Sequence, residues 1–112
     1  MKVSTLKSRT SRIWVEVPGD SGDTEKIWVD YRPGNLTLDV SEKIRKASLD
    51  SENEAIFVLL ENLLADWDLE ADDGKPLGVK AKDIKLVPLS FLADIMVKIE
   101  EDGRPNPQRD EA

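Results

Sequence analysis

Three features of this sequence predict an α+β fold, in which an N-terminal antiparallel β-hairpin packs with a C-terminal bundle of three to four helices. Arg12-Ile13-Trp14-Val15-Glu16-Val17 and Lys26-Ile27-Trp28-Val29-Asp30-Tyr31 have the two-residue period and the β-branched and aromatic content of strands. From Leu36 onward apolar residues recur instead at three- and four-residue spacing, the period of an amphipathic helix. Pro33-Gly34 separates the two regimes, because proline cannot extend a ladder and glycine turns the chain. The 112 residues suit one domain with a single modest core, placed at residues 1–103. Residues 1–11 are expected as a basic flexible arm and 104–112 as a disordered tail.

Within the hairpin, Pro18-Gly19-Asp20-Ser21-Gly22-Asp23-Thr24-Glu25 supplies the glycines, proline and short polar side chains of a loop. Charge selects the register. Setting Trp14 opposite Trp28 also sets Glu16 opposite Lys26 and Arg12 opposite Asp30, two attractive cross-strand pairs. A slip of one residue would carry the charges to the buried face. One face is then aliphatic (Ile13, Val15, Ile27, Val29), and the other is two tryptophans framed by charges.

Leu36, Val40, Ile44 and Ala47 follow at helical spacing, with Thr37 placed to cap, so a helix is expected from about Leu38 to Ser48. Leu36-Thr37-Leu38-Asp39-Val40 also alternates, which leaves a third strand as the competing reading there. Ser51-Glu52-Asn53-Glu54 is a capping box, with Asp50, Glu52 and Glu54 near the positive end of the helix dipole. Ile56, Leu59, Leu60, Leu63, Leu64 and Trp67 then form one stripe, and Phe57 and Val58 widen it, as in a central helix.

Trp67-Asp68-Leu69 and Asp72-Asp73-Gly74-Lys75-Pro76-Leu77 read as a helix end, an acidic turn and a stiffened connection. Lys80–Leu86 suggests a short helix stopped before Pro88. Pro88 fits the first turn of a last helix whose stripe is Leu89, Leu92, Ile95, Met96 and Ile99, with Gly103 as its stop.

Composition removes several functions. There is no cysteine, so disulfides and thiolate metal sites are excluded. There is no histidine, the commonest general base and transition-metal ligand. No apolar run approaches the roughly 20 residues that span a bilayer. The N-terminus lacks the apolar stretch of a signal peptide, which makes the cytoplasm the expected compartment. An EF-hand frame fails as well. Counted from Asp68 its glycine position holds Asp73 and its final glutamate position Val79, and counted from Asp66 they hold Ala71 and Leu77. With no phosphate loop and no nucleophile elbow, an enzyme is not expected, nor any cofactor or metal.

The net charge of −7 is unevenly spread. Lys2, Lys7, Arg9 and Arg12 precede every acid, nine acids and no base lie between Leu49 and Gly74, and Lys75, Lys80, Lys82 and Lys85 follow. Solvated faces explain such runs, and complementary patches that meet within the fold or between copies are the sharper reading. The basic arm beside Trp14 is a weak footprint for nucleic acid on an acidic body, so nucleic acid is not an expected partner.

Tyr31-Arg32-Pro33-Gly34-Asn35-Leu36-Thr37, Leu64, Trp67-Asp68-Leu69, Asp73-Gly74-Lys75-Pro76-Leu77 and Pro88-Leu89 with the final helix together resemble the tail assembly chaperones of long-tailed bacteriophages. The resemblance spans roughly residues 25–105 and rests on the joint occurrence of these segments in order. It implies a non-enzymatic protein of the infected bacterial cytoplasm, absent from the mature virion. Its partners would be the tape-measure protein, a long helical chain, and the tail-tube protein. Weak contacts repeated along such a client imply weak homo-oligomerisation. A small acidic inhibitor that covers a partner's nucleic-acid-binding site is the alternative.

Two sets of residues are candidates for function. Trp14, Trp28, Arg12 and Lys26 form the expected partner-binding face, because tryptophan ringed by charge is the composition of an interface anchor. Pro33, Gly34, Trp67, Asp68, Leu69, Gly74 and Pro76 carry the resemblance and are expected to be structural, with Trp67 plugging the core.

Overall fold

The computed structural model describes residues 1–19 and 21–103. The tail expected at 104–112 lies outside the described residues. In chain order the elements are α1 (Val3–Ser8), β1 (Ser11–Pro18), β2 (Thr24–Tyr31), a 3-10 turn (Pro33–Asn35), α2 (Leu38–Asp50), α3 (Glu52–Leu63), β3 (Leu64–Trp67), α4 (Ala81–Ile84) and α5 (Leu89–Gly103). The fold is α+β, with a three-stranded antiparallel sheet in the order β1-β2-β3 and the helices gathered with it around one core.

β1 and β2 pair in the register that charge selects, with Trp14 opposite Trp28, Arg12 opposite Asp30 and Glu16 opposite Lys26. Ile13, Val15, Val29 and Tyr31 turn to the buried face, as the two-residue period requires.

Residues 1–11, expected as a flexible arm, include a short helix. Val3–Ser8 form α1, whose end passes so close to the 3-10 turn that a Cβ on Gly34 would run into the Leu6 carbonyl. Gly34 therefore both turns the chain and admits this approach.

α2 begins at Leu38, where the Val40 N–H donates to Thr37 Oγ1 at 3.3 Å, so the competing strand at 36–40 does not form. Ser51 alone separates α2 from α3. Its Oγ accepts from the Glu54 N–H at 3.0 Å, but its own N–H donates to the Ala47 carbonyl at 3.0 Å. Only half of the expected capping box therefore forms, because the donor that Glu54 would satisfy already closes α2. Asp50 correspondingly belongs to the last turn of α2, leaving Glu52 and Glu54 at the start of α3.

The largest departure from the sequence expectation comes at Leu64. The central helix stops at Leu63, and Leu64–Trp67 continue as β3, so Trp67 ends a strand and not a helix. Tyr31 pairs with Leu64 but Asp30 pairs with Asp66, which makes Ala65 an extra residue at a bulge. In a regular strand residues three apart face opposite sides. The bulge restores Leu64 and Trp67 to the same buried side, imitating the helical spacing that the sequence shows.

α4 is a single turn before Pro88, and α5 follows with the Pro88 carbonyl accepting from the Phe91 and Leu92 N–H groups. Leu92, Ile95 and Ile99 are buried and Met96 is half-buried. Leu89, expected in the stripe, is exposed, and Phe91 takes its place in the row Phe91, Ile95, Ile99 at four-residue spacing.

Candidate functional site

The outward face of the hairpin brings together the four residues expected to bind a partner. Trp14 is 50% exposed, while Trp28 is half-buried beneath the Arg12 guanidinium, 4.3 Å from its ring centroid. Arg12 also forks onto Asp30, with Nε to Oδ1 at 2.7 Å and Nη2 to Oδ2 at 3.1 Å. This hydrogen bond holds the Asp30 carboxyl below its ordinary range, with partial burial opposing, and raises Arg12, which Asp66 and Asp68 also favour through space. Lys26 lies opposite Glu16 in the ladder, but among the described residues neither makes an ion pair. Two of the Arg12 donors are thus engaged within its own chain, whereas Trp14 is half-exposed and Glu16 makes no ion pair among the described residues.

Of the residues that carry the resemblance, Pro33 and Gly34 lie in the 3-10 turn, whereas Trp67, Asp68, Leu69, Gly74 and Pro76 belong to β3 and the turn beyond it. Trp67 is 3% exposed, and its indole N–H is shared between the Leu77 and Gly78 carbonyls, both at 3.1 Å. Asp68 donates its backbone N–H to the Trp28 carbonyl at 3.0 Å and keeps its side chain in solvent. Beyond it the chain doubles back. Leu77 N–H donates to the Leu69 carbonyl at 2.9 Å, Glu70 bridges Pro76, and Ala71 N–H donates to the Lys75 carbonyl at 2.8 Å. Gly74 sits at the tip with φ +84°, a left-handed conformation that glycine adopts without penalty. Asp73 Oδ1 accepts from the Lys75 N–H at 3.0 Å, so this acid serves the turn itself. Among the described residues no three acids gather closely enough to hold a cation.

Folding the acidic turn this way places Leu69 and Leu77 in the lining of an open groove of about 550 Å³, with Val17, Ile27, Val87, Pro88 and Phe91 among its other apolar surfaces. Glu70 and Asp72 border it, and Leu86 borders it while remaining 75% exposed. Sequence reasoning missed this groove. Its only local signal is an apolar residue on each side of the acidic turn, and Val17 and Ile27 join it from the loop end of the hairpin.

Tyr31 was also missed. It lies in the core, and its hydroxyl donates to Asp102 Oδ2, tying β2 to the end of α5. Burial and this bond push the Tyr31 phenol well above its ordinary value.

No family model, no curated protein and no solved structure matches this chain. Among the described residues no helix is long and apolar enough to cross a membrane.

Proposed function

We propose that this protein is a non-enzymatic tail assembly chaperone that binds the tape-measure protein and promotes tail-tube assembly in the infected bacterial cytoplasm. The observation that carries this reading is the groove. Two residues of the segment that resembles the chaperones, Leu69 and Leu77, line a largely apolar cleft that Glu70 and Asp72 border. Such a cleft suits the apolar stripe of an amphipathic helix, and Glu70 and Asp72 suit basic residues flanking it. A long helical client offers that stripe repeatedly, so weak contacts sum along its length when several copies bind.

Co-expression with a tape-measure protein tests the reading. The protein should raise the soluble fraction of that client, and Leu86→Asp, which places a charge at an exposed edge of the groove, should abolish the gain without unfolding the domain. A client equally insoluble with and without the protein overturns the proposal. Displacement of DNA from a bacterial enzyme would instead mark the inhibitor function.

A further inference from the structure

We propose that β1 is a self-association strand: two copies pair their β1 edges antiparallel about a two-fold axis at Trp14, joining two three-stranded sheets into one. This extends the self-association that the chaperone reading calls for, and its test needs no client.

The two edges of the sheet differ. β3 is four residues long, bulged and carries Asp66, with Asp68 just beyond, devices that discourage further pairing. β1 is eight residues long, pairs with β2 without a bulge, holds its proline only at the last position, carries charges of opposite sign at Arg12 and Glu16, and presents half-exposed Trp14 near its middle. The direction of its free backbone groups follows from the ladder. The Trp28 carbonyl accepts from Asp68 N–H, so the peptide groups of Trp28 point toward β3. Trp14 and Trp28 are then a non-hydrogen-bonded pair, and the N–H and C=O of Arg12, Trp14 and Glu16 point away from β2. Among the described residues no other group bonds to them.

The strand is complementary to itself. Read antiparallel about Trp14, Arg12-Ile13-Trp14-Val15-Glu16 sets Arg12 of each copy opposite Glu16 of the other, and Ile13 opposite Val15. Every outward backbone group of Arg12, Trp14 and Glu16 then gains a partner. Glu16 makes no ion pair within its own copy among the described residues, and Arg12 retains N–H donors beyond the two bound to Asp30. Moving the axis to Arg12 or Glu16 would set like charges opposite each other. Moving it to Ile13 or Val15 would leave a charge opposite an uncharged residue. Val97 of α5, 45% exposed, borders the same edge with Trp14 and gains cover from the second copy.

Sedimentation velocity over a wide concentration range tests the pairing. The protein should show a reversible monomer–dimer equilibrium. Trp14→Pro removes an outward donor at an edge position, and Glu16→Arg sets like charges across the axis. Each should raise the dimer dissociation constant about tenfold or more while circular dichroism stays that of the parent. Lys43→Glu, on α2, should leave the constant unchanged. Amide exchange at Arg12, Trp14 and Glu16 should slow as concentration rises. A chain that stays monomeric throughout, or a dimer indifferent to Glu16→Arg, overturns the proposal, whether or not Trp14→Pro folds. A dimer that forms normally but leaves a tape-measure protein insoluble counts against the client groove alone.

Discussion

Trp67 holds β3 and the segment after the acidic turn to one another, because its ring is buried while its indole N–H reaches two carbonyls on the returning chain. Trp67→Ala removes a large core side chain and strands those acceptors, so it should cost about 3–5 kcal/mol. A domain of this size has only about 5–15 kcal/mol to lose. Thermal melting should therefore show a steep drop in midpoint, and a variant that melts near the parent would place Trp67 outside the core. At the surface, the Arg12 and Asp30 pair links stability to pH. The Asp30 carboxyl lies below its ordinary value in the folded state. Its contribution is therefore present above the unfolded value of about 3.9 and disappears as pH falls through the folded value. The midpoint difference between the parent and Asp30→Asn should be constant near neutrality and shrink in acid below about pH 4. A difference that persists to lower pH would show that the carboxylate charge is not its source.

At the scale of elements, the sheet explains why the central helix ends. β2 has β1 on one side, and the backbone groups on its other side need partners. Asp68 N–H bonds to the Trp28 carbonyl and Arg32 N–H to the Leu63 carbonyl, so chain that leaves α3 as a strand satisfies them at once. Helix propensity, a few tenths of a kcal/mol per residue, is outweighed by that pairing and by the burial of Leu64 and Trp67. α1 depends on a different contact. Its docking against the 3-10 turn requires the missing Cβ of Gly34. Gly34→Ala should push α1 away at a cost of about 1–3 kcal/mol, the range for overpacking. Trypsin should then cut after Lys7 and Arg9 faster than in the parent while the remaining domain resists. Equal cleavage rates would mean that α1 docks by another route.

For the whole molecule, charge acts chiefly outward. Among the described residues the ion pairs are Arg12 with Asp30 and Lys98 with Glu101, and neither joins the acidic run of 49–74 to the lysines that follow it. The acidic run is spread over the end of α2, both ends of α3, β3 and the turn, and two of its members, Glu70 and Asp72, border the apolar groove. The two proposed contacts fall at separate places. The groove lies against Val17 and Ile27 at the loop end of the hairpin, whereas the pairing axis crosses β1 at Trp14. With the axis at Trp14, Val17 of each copy would lie opposite Ser11 of the other, so the proposed pairing approaches each groove at its Val17 side.

The sequence by itself determined the α+β class, the hairpin register, the start of α2, one half of the Ser51 cap and an α5 buried along Leu92, Ile95 and Ile99. Each follows from interactions between residues near in the chain, or from charge pairs that a two-residue period brings opposite one another. The tertiary structure alone decided that Leu64–Trp67 is a strand, that α1 docks on Gly34, that Tyr31 reaches Asp102, and that Leu69 and Leu77 line a groove. The spacing of Leu64 and Trp67 fits a helix or a bulged strand equally well. The choice belongs to the unpaired side of β2, more than thirty residues earlier in the chain, and no local pattern records that demand.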